Sequence, residues 1–90
     1  MLTDEEYNLM MSIPDATERE DIDGNDLRYV ATDMFQGDLT GPDTWKHAWN
    51  QADRLNEEHN EDHISFVAVK HCQNYYVLDK KDARKLKIIA

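Results

Sequence analysis

Cysteine occurs once in the 90 residues, at Cys72, so the chain can form no internal disulfide and no multi-cysteine zinc knuckle. A lone thiol fits a reducing compartment. Glycine occurs three times, and no glycine belongs to G-x-G-x-x-G, G-x-x-x-x-G-K-[ST] or G-x-S-x-G. That leaves no loop built to cradle phosphate and no nucleophile elbow. Long apolar runs are missing as well, so no segment reads as a membrane-spanning helix. The opening MLTDEEY has neither the basic start nor the apolar core of a secretory signal. Together these absences point to a soluble, cytoplasmic protein.

Positive charge is the other scarcity. Ten Lys and Arg stand against 19 Asp and Glu, for a net charge of −9. The imbalance is uneven: residues 1–62 carry 17 acids and 4 bases, net −13, and residues 63–90 carry 2 acids and 6 bases, net +4. Such a surface is repelled by nucleic acid and by anionic membranes, and is drawn to basic surfaces. The basic tail (Lys80, Lys81, Arg84, Lys85, Lys87) could touch phosphate, but the −13 of the rest opposes it. Its expected role is to neutralise acidic helices of the same molecule or of a dimer partner, or simply to solvate a helix.

What is present is enough apolar residue, 40%, for one modest core. The whole of 1–90 reads as a single domain, which at this size buries roughly 60–65% of its unfolded surface. Thr3-Asp4-Glu5-Glu6 is a capping box, with Leu2 and Tyr7 placed as a hydrophobic staple. Tyr7, Met10 and Met11 then give a short apolar face, and Pro14 stops the helix around Ser12. Residues 15–26, DATEREDIDGND, hold six acids and one large apolar residue, Ile22, and read as a loop. A second helix is predicted from Leu27, Val30, Ala31 and Met34 at i, i+3, i+4, i+7, capped by Asp23 or Asn25 and ended by Gly37. The third helix is the best signalled. Thr40 or Gly41 caps it, Pro42 suits its first turn, and Trp45, Ala48, Trp49, Ala52 and Leu55 form one stripe, with both tryptophans expected in the core.

After residue 62 the period switches from 3.6 to 2. HISFVAVK and YYVL are rich in β-branched and aromatic residues and close enough in sequence to form an antiparallel hairpin. Asp79 caps a short last helix through KKDARKL; the competing reading makes LKIIA a third strand. The expected fold class is α+β, three N-terminal α-helices packed on a C-terminal antiparallel β-hairpin with a short C-terminal helix.

The sharpest chemistry sits in EEHNEDH, residues 57–63. His59 and His63 at i, i+4 on a helix would share a metal ion, as in zinc hydrolases. Those enzymes have glutamate directly after the first histidine, where this chain has Asn60, and the stretch falls where the helix should end. EDIDGND resembles part of a calcium loop, with Asp21 and Asp23 at ligand positions, yet Arg19 stands at the first position and Val30 at the last. His71 and Cys72 are adjacent in a strand and point to opposite faces, so they make no catalytic pair. The sequence therefore predicts no metal, no cofactor and no enzyme.

What remains is a binding protein with an acidic surface. Asp15, Glu18, Glu20, Asp21, Asp23 and Asp26 crowd into twelve residues with one base among them. Like charges at short range repel, so folding gains nothing from the crowding. Basic nucleic-acid grooves draw much of their affinity from releasing counterions, a term that carboxylates can imitate. The expected partner is the basic surface of a nucleic-acid-handling protein, and the expected function is its inhibition. In type, though not in any motif, the chain is like phage-encoded anti-restriction and anti-CRISPR inhibitors. The rival expectation is an intracellular adaptor or regulatory subunit that uses an apolar interface.

Overall fold

The computed structural model describes residues 2–37 and 43–90. Among them the chain forms helix α1 (Asp4–Met11), α2 (Gly24–Val30), strand β1 (Asp33–Gln36), α3 (Thr44–Glu58), β2 (Phe66–His71), β3 (Asn74–Asp79) and α4 (Lys80–Lys85), with a 3₁₀ turn at Asn60–Asp62. The sheet is antiparallel in the order β1-β3-β2. This is the α+β architecture, with its hairpin at the C-terminal end.

Strict alternation in the strands builds two cores. Phe66, Ala68 and Val77 face α3, where they meet Ala48, Ala52 and Leu55. Val69, Tyr76 and Leu78 face the other way, against Ala16, Ile22, Leu27 and Ala83 from the acidic segment, α2 and α4. The sheet is therefore covered on both sides, which is why both faces of its strands are apolar.

Local signals set most element ends. Thr3 and Glu6 exchange their two side-chain-to-main-chain bonds, each 3.1 Å, and complete the capping box. Asp23 caps α2 and Asp79 caps α4. The last helix closes on a Schellman motif: Ile88 N donates to Ala83 O at 2.9 Å and Lys87 N to Arg84 O at 3.0 Å. Its left-handed residue is Lys87, φ 59°, where glycine is usual. Ile88 and Ile89 then fold onto the α2–α4 side of the core.

Four expectations need correction. The second helix stops at Val30, because the next residues pair with the open edge of β3: Thr32 N donates to Val77 O at 2.8 Å and Asp33–Gln36 run along Val77–Asn74. Val30, Ala31 and Met34 still pack on the core they were expected to reach, but Met34 does so from a strand. Gly37 ends that strand instead of a helix, and a Cβ there would stand 2.3 Å from Gln73 O, so no larger residue fits. On α1 the half-buried residues are Glu6, Leu9 and Met10, flanked by half-buried Leu2 and Ile13 outside the helix, whereas Tyr7 is 52% and Met11 64% exposed. Trp45 is buried as expected, but Trp49 is only half-buried. Asp26 lies inside α2, not in the loop before it. The cap expected at Thr40 or Gly41 and the place of Pro42 lie outside the described residues; the α-helix itself begins at Thr44.

Candidate functional site

The acidic segment is irregular, as its composition requires, but it is tied down at several points. Residues 14–16 lie along the outer edge of β2: Lys70 N donates to Pro14 O and Ala16 N to Lys70 O, both at 2.8 Å. Thr17 Oγ1 accepts from Cys72 N at 2.9 Å, at the tip of the β2–β3 hairpin. Arg19 donates to the carbonyl of Lys87 at 2.7 Å while gripping Asp21 with two further bonds, 3.0 and 2.5 Å. Ala16 and Ile22 are buried in the core beneath.

The six carboxylates predicted as a site divide in two. All six are exposed. Asp15 accepts from the Thr17 amide at 2.9 Å and from its hydroxyl. Burial pulls the Asp15 carboxyl up, but the Thr17 bonds and the charges of Lys70 and His71 outweigh it and hold it below the usual range. The Arg19 guanidinium holds Asp21 low in the same way, with help from Lys87. Asp23 spends its side chain on the Asn25 amide, 3.0 Å away. Glu18, Glu20 and Asp26 have no partner among the described residues. Half of the expected crowding is thus explained by folding, and bases remote in sequence partly neutralise it.

The calcium-loop likeness dissolves on the same facts, since Asp21 and Asp23 are committed to Arg19 and to the α2 cap. The histidine pair does not share a helix face either. His59 is the C-cap that follows α3, with its ring against Phe66 (centroids 5.4 Å apart) and Nδ1 3.1 Å from Asp62. His63 has turned into left-handed backbone, φ 58°. Among the described residues no group of three His, Cys, Asp or Glu is placed to hold a metal ion. Cys72 is a free, exposed thiol at the first turn position of the hairpin, φ 57°.

A second feature was not anticipated. A groove of about 200 Å³ runs between α3 and the outer edge of β2, with Ile13, Trp49, Ala52 and Asn56 on its walls. Asn56 projects across it to the main chain of Phe66. The sequence held one signal for this. Asn56 continues the stripe of Trp49 and Ala52 at i+7 and i+4, and a polar residue on an apolar stripe needs a polar partner.

No protein-family model, curated protein or solved structure matches the chain. No helix among the described residues is long and apolar enough to cross a membrane.

Proposed function

We propose that the chain is a non-enzymatic binding protein that sets its acidic surface against a basic surface of a nucleic-acid-handling protein and thereby inhibits it. The observation that supports this is the contrast within residues 15–26. The backbone is tied to β2, to the hairpin tip and to the C-terminal tail, yet Glu18, Glu20 and Asp26 project without partners. A tethered anionic surface binds a basic one without the entropy cost of ordering a free loop. Inhibition by occupying a phosphate-binding groove, in the cytoplasm and with no cofactor, is the form this reading takes; anti-restriction and anti-CRISPR inhibition are examples of it.

The test is affinity capture from a cell lysate at low salt, repeated with the triple variant Glu18→Lys, Glu20→Lys, Asp26→Lys. The expected result is a captured nucleic-acid-handling protein that is lost in the variant, lost as salt shortens the Debye length below about 8 Å, and displaced by duplex DNA. Capture that survives all three treatments overturns the reading.

One set of observations favours the adaptor alternative. Tyr7, Met11 and Tyr29 are exposed, Tyr29 at 91%, and α1 buries none of its residues. Salt-insensitive capture abolished by Tyr7→Ser with Met11→Ser would select it.

A further inference from the structure

The basic tail does not pair with acids of its own molecule. Lys80, Lys81, Arg84 and Lys85 form no ion pair among the described residues. Ala83 is wholly buried, so Lys81 and Lys85, two positions before and after it, are turned about 200° away from the sheet. Both are exposed. On α2 the same spacing from wholly buried Leu27 turns Tyr29 outward, where it is 91% exposed. The free acids Glu18, Glu20 and Asp26 belong to the same side of the molecule, because Ala16, Ile22, Leu27 and Ala83 pack on one face of the sheet.

Charges of opposite sign hold opposite ends of that side. Thr17 is bonded to Cys72 at the hairpin tip, which puts Glu18 and Glu20 at that end. Helix α4 starts where β3 finishes, about 20 Å from the tip at the usual rise of a strand, so Lys81 is at the other. Tyr29 lies between them, three residues before Thr32, whose N–H bonds Val77 midway along β3. The two segments that form this side, 15–31 and 80–90, hold seven acids and seven bases. The side is neutral, and the net charge of −9 lies entirely on the rest of the chain.

We propose that this side pairs with a second copy of the chain in a twofold dimer, with Glu18 and Glu20 of each copy against Lys81 and Lys85 of the other and the two Tyr29 rings at the centre. A twofold contact needs a surface complementary to itself, and a neutral face with acids at one end and bases at the other is such a surface. An outward tyrosine near the middle is the residue type that anchors contacts of this kind. The −9 does not prevent association: it sits on other elements, and at physiological salt its repulsion fades within about 8 Å. Covered in this way, the free carboxylates meet a basic partner only after the dimer parts; that consequence, unlike the dimer itself, rests on the proposed function.

Sedimentation equilibrium of the full chain from micromolar to millimolar concentration tests this. The mass should rise from 10.6 kDa toward twice that value. Glu18→Lys with Glu20→Lys, and separately Lys81→Glu with Lys85→Glu, should each weaken self-association about tenfold or more. Mixed in equal amounts, the two variants should form a heterodimer at least as readily as the parent dimerises, since every lysine then faces a glutamate. Tyr29→Ser should weaken association about tenfold with no change of charge. All five side chains are exposed, so the variants should keep the parent's circular dichroism. A parent that stays monomeric at millimolar concentration, association unchanged in any of the three variants, or a mixture that stays monomeric overturns the proposal. No basic partner is present, so failure of the acidic-surface reading leaves these results as they are.

Discussion

Asn56 and Phe66 form a reciprocal pair: the side-chain amide of the one takes both main-chain groups of the other, at 2.5 and 3.2 Å. One helix residue thus does for β2 what a fourth strand would do. It closes an edge position beside the groove and joins α3 to the sheet by polar contacts as well as apolar ones.

Asn56→Ala should lower stability by about 1–3 kcal/mol, the cost of leaving a half-buried donor and acceptor unmatched. Urea unfolding followed by circular dichroism measures it. A loss under about 0.5 kcal/mol would show that water replaces the side chain at no cost.

The two tryptophans should separate. Trp45, 3% exposed, should cost about 3–5 kcal/mol when cut to alanine. Trp49, half-buried on the groove wall, should cost about 1–2 kcal/mol. Equal losses would contradict their placement.

Within the acidic segment, Asp23→Ala removes the α2 cap and should cost about 0.5–2 kcal/mol. Glu20→Ala touches nothing and should stay within about 0.5 kcal/mol of the parent. The comparison separates carboxylates that build the fold from those left free.

Glu6 carries a pH dependence. The Lys46 ammonium, then the Thr3 bonds, draw its carboxyl down from 4.5 to about 2. A depressed folded pKa means stability that is full above the unfolded value and is lost as pH falls toward 2. Melting temperature should therefore drop between pH 5 and 2 less steeply in Glu6→Gln than in the parent. Identical slopes would remove the Lys46–Glu6 pair as a contributor.

Lys87→Gly should raise stability by about 0.5–1 kcal/mol, since left-handed backbone costs a side-chain-bearing residue about 1–2 kcal/mol and glycine repays part of that in chain entropy. Its carbonyl bond to Arg19 is main-chain and should persist.

What the sequence determined by itself is what nearest neighbours decide. The α1 capping box, the stop at Pro14, the Asp23 and Asp79 caps, the stripe of α3 and the period-2 hairpin each depend on residues a few positions apart. The tertiary structure alone decided the rest. Asp33–Gln36 became a strand because β3, some forty residues later, offers an edge whose unpaired main-chain groups outweigh a weak helical pattern. Half of the acidic segment's carboxylates are held by near neighbours, Asp15 by Thr17, Asp21 by Arg19 and Asp23 by Asn25, and only the folded chain adds the smaller contributions of Lys70, His71 and Lys87. The closing of the β2 edge exists only in the folded chain: periodicity shows which face a side chain takes, but that residues 14–16 close Lys70 and Asn56 closes Phe66 depends on what the fold lays beside them.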